Sequence, residues 1–150
     1  MDSLWEPYDY PEPLMTGCKG MNRPPTDEYL HNLTHMTYHG WHYCQEILVE
    51  IDFIYPYSDW EPEINKDTRV AFKQSVEDRK PLHITLYEKD GKLIMSDDYE
   101  IYYLYRELEI VCVRAIVVGH FTKKPGVEIL ERPFKVKKPV SVFGLRKSRP

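Results

Sequence analysis

Apolar and polar residues follow two different spacings along the middle of this chain, and each spacing predicts a type of element. The run 82–86 alternates apolar and polar residues, which is typical of a half-buried strand. Apolar residues three or four positions apart in 68–78 and 98–108 predict helices with one buried face. The predicted order is a strand at 48–51, a helix at 68–78, strands at 82–87 and 93–95, a helix from the turn 96–98 to 108, and a strand at 113–118.

Two details of burial follow from the same pattern. The runs 110–113 and 115–118 are nearly all apolar and are separated only by Arg114, which predicts a strand buried on both faces. The first helix of this region is expected to bury the apolar residues Val70, Ala71, Phe72 and Val76.

The segments on either side of this region have a different character. Residues 1–46 contain a Pro- and Tyr-rich arm, then a predicted helix over 28–38 with Thr26 or Asp27 as its N-cap. Residues 47–119 form the α/β domain. Residues 120–150 contain two short β-like runs, 127–130 and 140–143, interrupted by prolines, and end in a basic tail.

Charge is unevenly distributed along the chain. The net charge is −4 over 150 residues, yet residues 1–120 carry 22 acidic and 11 basic side chains, and residues 121–150 carry nine basic side chains against two glutamates. Such segregation either marks a contact surface for an anionic partner or lets a basic tail fold over an acidic body. Under the first interpretation, the residues that contact nucleic acid are Lys123, Lys124, Arg132, Lys135, Lys137, Lys138, Arg146, Lys147 and Arg149.

The run 97–109 follows the third predicted strand and carries an acidic turn residue, an aromatic residue and a leucine at Asp97, Tyr102 and Leu108. The stretches 51–56 and 79–84 add isoleucine and proline positions upstream. With the order of elements, these residues resemble the N-terminal domain of the ParB and sulfiredoxin families, over roughly half of the chain. The resemblance implies an α+β fold, a small mixed sheet with two or three helices, here with an N-terminal extension and a basic C-terminal tail.

The residues that bind nucleotide in those families are replaced here. In family members a turn at a helix N-terminus holds a phosphate with backbone N–H groups and an arginine, whereas Asp98 stands in place of a glycine and Ile101 in place of the arginine. The carboxylates now in the turn would repel a triphosphate unless a divalent metal ion lay between them. Three interpretations stay open: a helix cap with an acidic first turn, an acidic recognition patch, or a residual catalytic and metal site at Asp97, Asp98 and Glu100.

Histidines form a second candidate site. His31, His35 and His39 are four residues apart and line one helical face, and two histidines with a cysteine such as Cys44 can ligate Zn²⁺. No HExxH or CxxC pattern accompanies them, so a row of packing or surface histidines is the alternative. Under the metal interpretation, the ligands are His35 and His39.

The loop 55–63 is rich in aromatic and acidic residues. Loops of this composition often carry recognition, which makes Tyr57, Trp60 and Glu61 candidates for contact with a partner. The alternative is a lid that packs its rings onto the sheet.

Two functions from different classes fit these observations. The first is a non-catalytic interaction protein on a ParB-like fold that binds nucleic acid or a nucleic-acid-associated protein, with no cofactor expected. The second is a metal-dependent nuclease or nucleotide-dependent phosphotransferase of the same fold, in which the acidic turn binds Mg²⁺. The chain has no P-loop, no dinucleotide-binding glycine fingerprint and no nucleophile elbow.

The cellular setting is predicted from absences. No run approaches about 18 apolar residues and the start lacks the regions of a secretory signal, so a cytoplasmic protein without membrane contact is expected. Cys18, Cys44 and Cys112 are irregularly spaced, which indicates a reducing compartment rather than a disulfide framework. A homodimer is left open, and the resemblance is consistent with a phage, plasmid or archaeal virus origin.

Overall fold

The computed structural model describes residues 12–135, and within this range the chain forms a single sheet flanked by α-helices. No helix in this range is long and apolar enough to cross a membrane. The predicted run 140–143 lies outside the described residues. In chain order the elements are α1 (Glu28–Tyr38), β1 (Tyr43–Glu50), a 3-10 turn (Ile51–Phe53), β2 (Ile54–Pro56), α2 (Lys66–Glu77), β3 (Ile84–Lys89), β4 (Lys92–Met95), α3 (Tyr99–Glu107), β5 (Cys112–Val118), β6 (Val127–Ile129) and β7 (Phe134–Lys135).

The sheet mixes parallel and antiparallel pairs. Its strand order is β2-β4-β3-β5-β1-β6, with β7 also pairing with β1. The pairs β2–β4 and β3–β5 are parallel, and all the other pairs are antiparallel. The predicted α+β class, a mixed sheet with two or three helices, is therefore confirmed, with three α-helices in the described residues. Because β6 and β7 pair with β1, the segment that follows residue 120 extends the same sheet.

The two faces of the sheet bury different amounts of apolar surface. Helices α2 and α3 cover one face and form the larger core, whose members include Ile47, Leu86, Val117, Phe72 and Tyr105. Helix α1 lies on the other face and forms a smaller cluster, which consists of Leu30, Cys44, Tyr87, Ile94 and Val118. Helix α1 is therefore part of the domain core rather than a separate arm.

Strand β5 corrects the prediction of burial on both faces. Val113, Ala115 and Val117 are buried, whereas Cys112 and Arg114 are exposed. The reason is that α2 and α3 cover one face along the whole strand, while the cluster beneath α1 reaches only its last residues. An almost continuous apolar run therefore behaves as a one-sided strand over its first half.

The helix starts follow local capping. Asp27 is the N-cap of α1, as predicted, and its carboxylate accepts hydrogen bonds from the Tyr29 and Leu30 N–H groups. Helix α2 begins at Lys66 behind Asn65, whose side chain accepts from Thr68 N–H at 2.8 Å.

The predicted buried face of α2 and the predicted start of β3 were wrong in detail. In α2, Phe72 is buried but Val70 is 60% exposed and Ala71 is exposed, because the helix contacts the rest of the molecule along a narrow stripe. Strand β3 begins at Ile84 rather than at Leu82, which lies exposed before the strand.

The segment before α1 covers the edge of the sheet at β2. Leu14 N–H donates to the Pro56 carbonyl at 3.0 Å, and Met15 forms a parallel bridge with Ser58. The Asp59 carboxylate accepts hydrogen bonds from the backbone N–H groups of Gly17 and Cys18. These bonds use backbone groups at an otherwise unpaired strand edge and hold the segment against the domain.

Candidate functional site

The predicted acidic turn lies where the carboxyl ends of β2 and β4 meet. These strands are parallel, with Pro56 opposite Met95, so the loop after β2 and the turn after β4 lie at the same end of the sheet. A hydrogen bond of 2.7 Å between the hydroxyls of Ser58 and Tyr99 joins the loop to the start of α3. Ser58 is fully buried, so this junction is part of the core rather than an open site.

The carboxylate of Asp98 accepts a hydrogen bond from another part of the fold. It occupies the N-cap position of α3 but makes no side-chain capping bond, and its Oδ2 accepts from Thr85 N–H at 2.7 Å. Burial raises the pKa of Asp98, and the Thr85 N–H opposes this change. The carboxylate therefore stabilises the start of β3, although burial makes its negative charge unfavourable.

Asp97 and Glu100 lie on the surface. The pKa of Asp97 is raised, first by partial loss of contact with water and then by the negative charge of Asp27, against the opposing influence of His31. Within residues 12–135, no group of three or more His, Cys, Asp and Glu side chains is placed to hold a metal ion. Catalysis by Asp97, Asp98 and Glu100, and Mg²⁺ binding there, stay predictions.

Asp27 is the most connected carboxylate of this region, and sequence reasoning identified only its role as a helix cap. Besides the first turn of α1, it accepts hydrogen bonds from the hydroxyls of Tyr87, at 2.6 Å, and Ser96. It is buried, and its hydroxyl partners come from β3 and from the turn after β4. No periodicity in the sequence predicts these hydrogen bonds, because residues so far apart in the chain are brought together only by the tertiary fold.

The loop after β2 packs its rings against the domain. Trp60 Nε1 donates to the Met21 carbonyl at 2.9 Å, and its ring meets that of Tyr99 edge to face, with centroids 5.3 Å apart. Tyr57 is half-buried beside the smaller core cluster, and Glu61 is exposed, 4.0 Å from Lys19. Of the three residues predicted for recognition, Glu61 is the one most open to solvent.

The predicted histidine ligands form a chain of ring contacts. The rings of His35 and His39 meet edge to face at 4.5 Å, and the ring of His39 lies 5.7 Å from that of Trp41. His39 is the C-cap residue of α1, and Trp41 follows the end of that helix. The contacts order this end of α1, while zinc binding by His35 and His39 stays a prediction.

The predicted basic residues divide into three groups. Lys124 is paired with Glu88, with Nζ 3.0 Å from Oε1, and lies over the ring of Phe121. Lys123, Arg132 and Lys135 are exposed. The other members of the set lie outside the described residues: Lys137, Lys138, Arg146, Lys147 and Arg149.

Exposed aromatic residues surround the end of α1 and the start of β1, and sequence reasoning missed them. We define the aromatic surface as Tyr38, Trp41 and Tyr43, which are 63%, 65% and 52% exposed. The basic segment reaches this surface through β7, where Tyr43 pairs with Lys135 and Lys135 Nζ lies 5.1 Å from the Tyr43 ring centroid. The sequence feature that could have identified these residues is the presence of aromatic residues on both sides of Gly40, just after the end of α1.

The crystal structure of sulfiredoxin from Arabidopsis thaliana is similar to this chain at 12% identity over 50% of this chain and 85% of that chain, with a TM-score of 0.42. No family model matches the chain, and no curated protein is similar to it at a significant level. A likeness at this score carries no argument about function. The architecture described above rests on the strand order and burial of this chain itself.

Proposed function

We propose that this protein is a non-catalytic interaction protein that binds nucleic acid through the basic residues of 121–150. The observation that supports this function is the position of Lys135, a cation held over the exposed ring of Tyr43. Nine basic side chains against two glutamates give this part of the chain the charge that a phosphate backbone attracts. An amino group next to an exposed ring also offers both kinds of contact that nucleic acids accept, phosphate and base.

The acidic turn supports an interaction protein over an enzyme. Asp98 accepts the Thr85 N–H, and Ser58 and Tyr99 hydrogen-bond to each other, so polar groups at this end of the sheet are engaged within the fold. Carboxylates do not attract phosphate, whereas the exposed cations Lys123, Arg132 and Lys135 do. Lys124 contributes less, because Glu88 balances its charge.

The test is fluorescence anisotropy with labelled single-stranded and double-stranded oligonucleotides, measured between about 50 and 200 mM salt. The variant Lys123→Glu/Arg132→Glu/Lys135→Glu reverses three exposed charges of the basic segment. We expect weaker binding and a slope of log K against log salt that is shallower by about 2, since each lost phosphate contact removes about 0.7 to 0.9.

A matched control reverses three exposed lysines of the acidic part of the chain: Lys66→Glu/Lys73→Glu/Lys80→Glu. It changes the net charge by the same amount and leaves the basic segment intact. We expect most of the affinity to remain. The absence of binding to either oligonucleotide at about 50 mM salt, or an equal loss in the control, would contradict the proposal.

The alternative of a metal-dependent nuclease or phosphotransferase rests on Asp97, which lies on the surface at the shared end of β2 and β4 next to Asp27 and His31. Calorimetry with CTP or ATP in the presence of Mg²⁺ tests it. Saturable heat that requires Mg²⁺ and disappears in Asp97→Ala would favour the enzyme. We expect no such heat from the wild-type protein.

A further inference from the structure

We infer that the preferred ligand is single-stranded nucleic acid and that its bases stack on Trp41 and Tyr43. This inference rests on the proposed function, because it names the class of nucleic acid and adds a binding site that the basic residues alone do not supply. Base stacking on an aromatic side chain is tolerant of sequence, since every base has a planar π-face. It also requires unstacked bases, which a duplex does not offer.

The first observation is the exposure of the rings. Trp41 and Tyr43 are two residues apart and more than half exposed, and Tyr38 stands one turn away at the end of α1. Single exposed apolar side chains are normal on a protein surface. Three large exposed rings within six residues of the chain are a different arrangement, because they concentrate flat apolar area in one short segment.

The second observation is that the backbone below Trp41 is held in place. Gly40 has φ of +77° and donates to the Thr37 carbonyl at 2.9 Å, while Trp41 N–H donates to the Met36 carbonyl at 2.9 Å. These two bonds form the hydrogen-bond pattern of a Schellman motif, which ends α1 in a defined geometry. The ring contact with His39 then supports the indole itself. A ring that is already ordered loses less conformational freedom when a base stacks on it.

The third observation is the fixed position of Tyr43 next to a cation. Tyr43 begins β1, its carbonyl accepts from Gly119 N–H at 2.7 Å, and its partner in β7 is Lys135. The Lys135 amino group lies over the tyrosine ring. A base on this surface therefore has a positive charge within reach of its phosphate.

The charge around the rings favours a polyanion with planar groups. His35, His39 and His42 are the titratable residues that flank Trp41 in sequence. In β1, Glu46 is paired with Arg114 and His83, each at 2.8 Å, so its charge is balanced locally. Glu131, next to Arg132 in sequence, is exposed, and its charge opposes an anionic ligand. An acidic peptide would satisfy the cations, but it would offer no ring to stack.

The experiment compares a labelled oligothymidine of about 16 nucleotides with a mixed-sequence duplex of the same length, by anisotropy. We expect Trp41→Ala and Tyr43→Ala each to weaken single-strand binding by about tenfold and to leave duplex binding and the salt slope unchanged. Trp41→Phe, which keeps a ring, should recover part of the affinity. Trp41→Phe should also remove the quenching of tryptophan fluorescence that we expect when a base stacks on Trp41 of the wild-type protein.

Tyr29→Ala is the matched control, because Tyr29 is a half-exposed tyrosine like Tyr43 but lies in the first turn of α1, at the opposite end of that helix from Trp41. We expect this variant to bind both oligonucleotides like the wild type. We expect Trp41→Ala to unfold at the same temperature as the wild type, which would show that the effect is one of contact.

The outcomes separate the inference from the function on which it rests. Equal losses for single strand and duplex, or no loss in either ring variant, would overturn the inference while binding through the basic segment still stood. No binding to any oligonucleotide would overturn both. Displacement of the oligothymidine by polyglutamate at equal charge concentration would indicate an acidic protein partner and would likewise overturn the inference.

Discussion

Asp27 and Tyr87 are 60 residues apart in the chain, and the Tyr87 hydroxyl donates a hydrogen bond of 2.6 Å to Asp27 Oδ2. Both residues are buried, and Oδ1 of the same carboxylate caps α1. Burial, and then the bond to Asp27, raise the pKa of Tyr87. One side chain therefore joins the first turn of a helix to the middle of a strand.

The first prediction concerns this carboxylate. We expect Asp27→Ala to lower the free energy of unfolding by about 2 to 4 kcal/mol, because a helix cap is lost and the hydroxyls of Tyr87 and Ser96 lose a buried partner. Chemical denaturation measures the change. Asp67→Ala removes an exposed carboxylate from the first turn of α2 and serves as the control. Equal effects of the two variants would show that the buried bonds contribute nothing.

The second prediction separates the charge of Asp98 from its hydrogen bond. Asp98→Ala leaves Thr85 N–H without its acceptor and should cost about 1 to 2 kcal/mol. Asp98→Asn keeps an acceptor and removes the charge that burial penalises, so it should be at least as stable as the wild type at about pH 7.

The pH dependence of that comparison has a defined sign. The folded-state pKa of Asp98 is raised, so the penalty on its charge is complete above that pKa and disappears as the pH falls through it toward the ordinary value near 3.9. The advantage of Asp98→Asn should therefore shrink in acid. Denaturation curves at several pH values check this, and an advantage that grows in acid would contradict it.

The third prediction concerns Glu46, whose Oε2 lies 2.8 Å from both His83 Nε2 and Arg114 Nη1. The bond to His83, and then that to Arg114, lower the pKa of Glu46. A lowered folded-state pKa gives stability that is present above the unfolded value near 4.3 and is lost as the pH falls through the folded value.

We expect Glu46→Gln to be less stable than the wild type by up to about 1 kcal/mol at neutral pH, since the pair is partly exposed to solvent. The difference should vanish once the pH falls below the lowered folded-state pKa of Glu46. Salt should reduce it as well. Thermal unfolding across this pH range is the measurement, and a difference that persists in acid would mean that packing rather than charge is responsible.

The fourth prediction uses the end of α3. Glu109 has φ of +57°, and the bonds Glu109 N–H to Arg106 and Ile110 N–H to Tyr105 follow the Schellman pattern. Glycine adopts this conformation without strain, so Glu109→Gly should raise the free energy of unfolding by about 0.5 to 1 kcal/mol. Glu109→Ala keeps the strain, removes the charge and is the control; an equal gain in both variants would assign the effect to charge.

Much of the fold was predictable because its determinants are close together in the chain. Helix α1 was predicted at its observed bounds from its cap, and the strands predicted at 82–87 and 93–95 do pair. Errors arose where burial depends on distant elements. Val70 and Cys112 lie in apolar runs typical of buried positions, but both are exposed in the structure.

The candidate site was less predictable. The acidic turn was expected to begin a helix, and it does, yet the partner of Asp98 is a backbone group in another strand. The aromatic surface was not anticipated, because no local pattern tells whether an aromatic residue beside a helix end is covered by another element of the fold.

The sequence alone therefore determined most of the element types, the cap of α1 and the division of charge, because these depend on residues within a few positions of one another. The tertiary structure decided the partners of Asp27 and Asp98 and placed Lys135 over Tyr43. The physical reason is that a buried polar group takes whichever donor the packing of the sheet brings within 3 Å, and no local spacing encodes that choice.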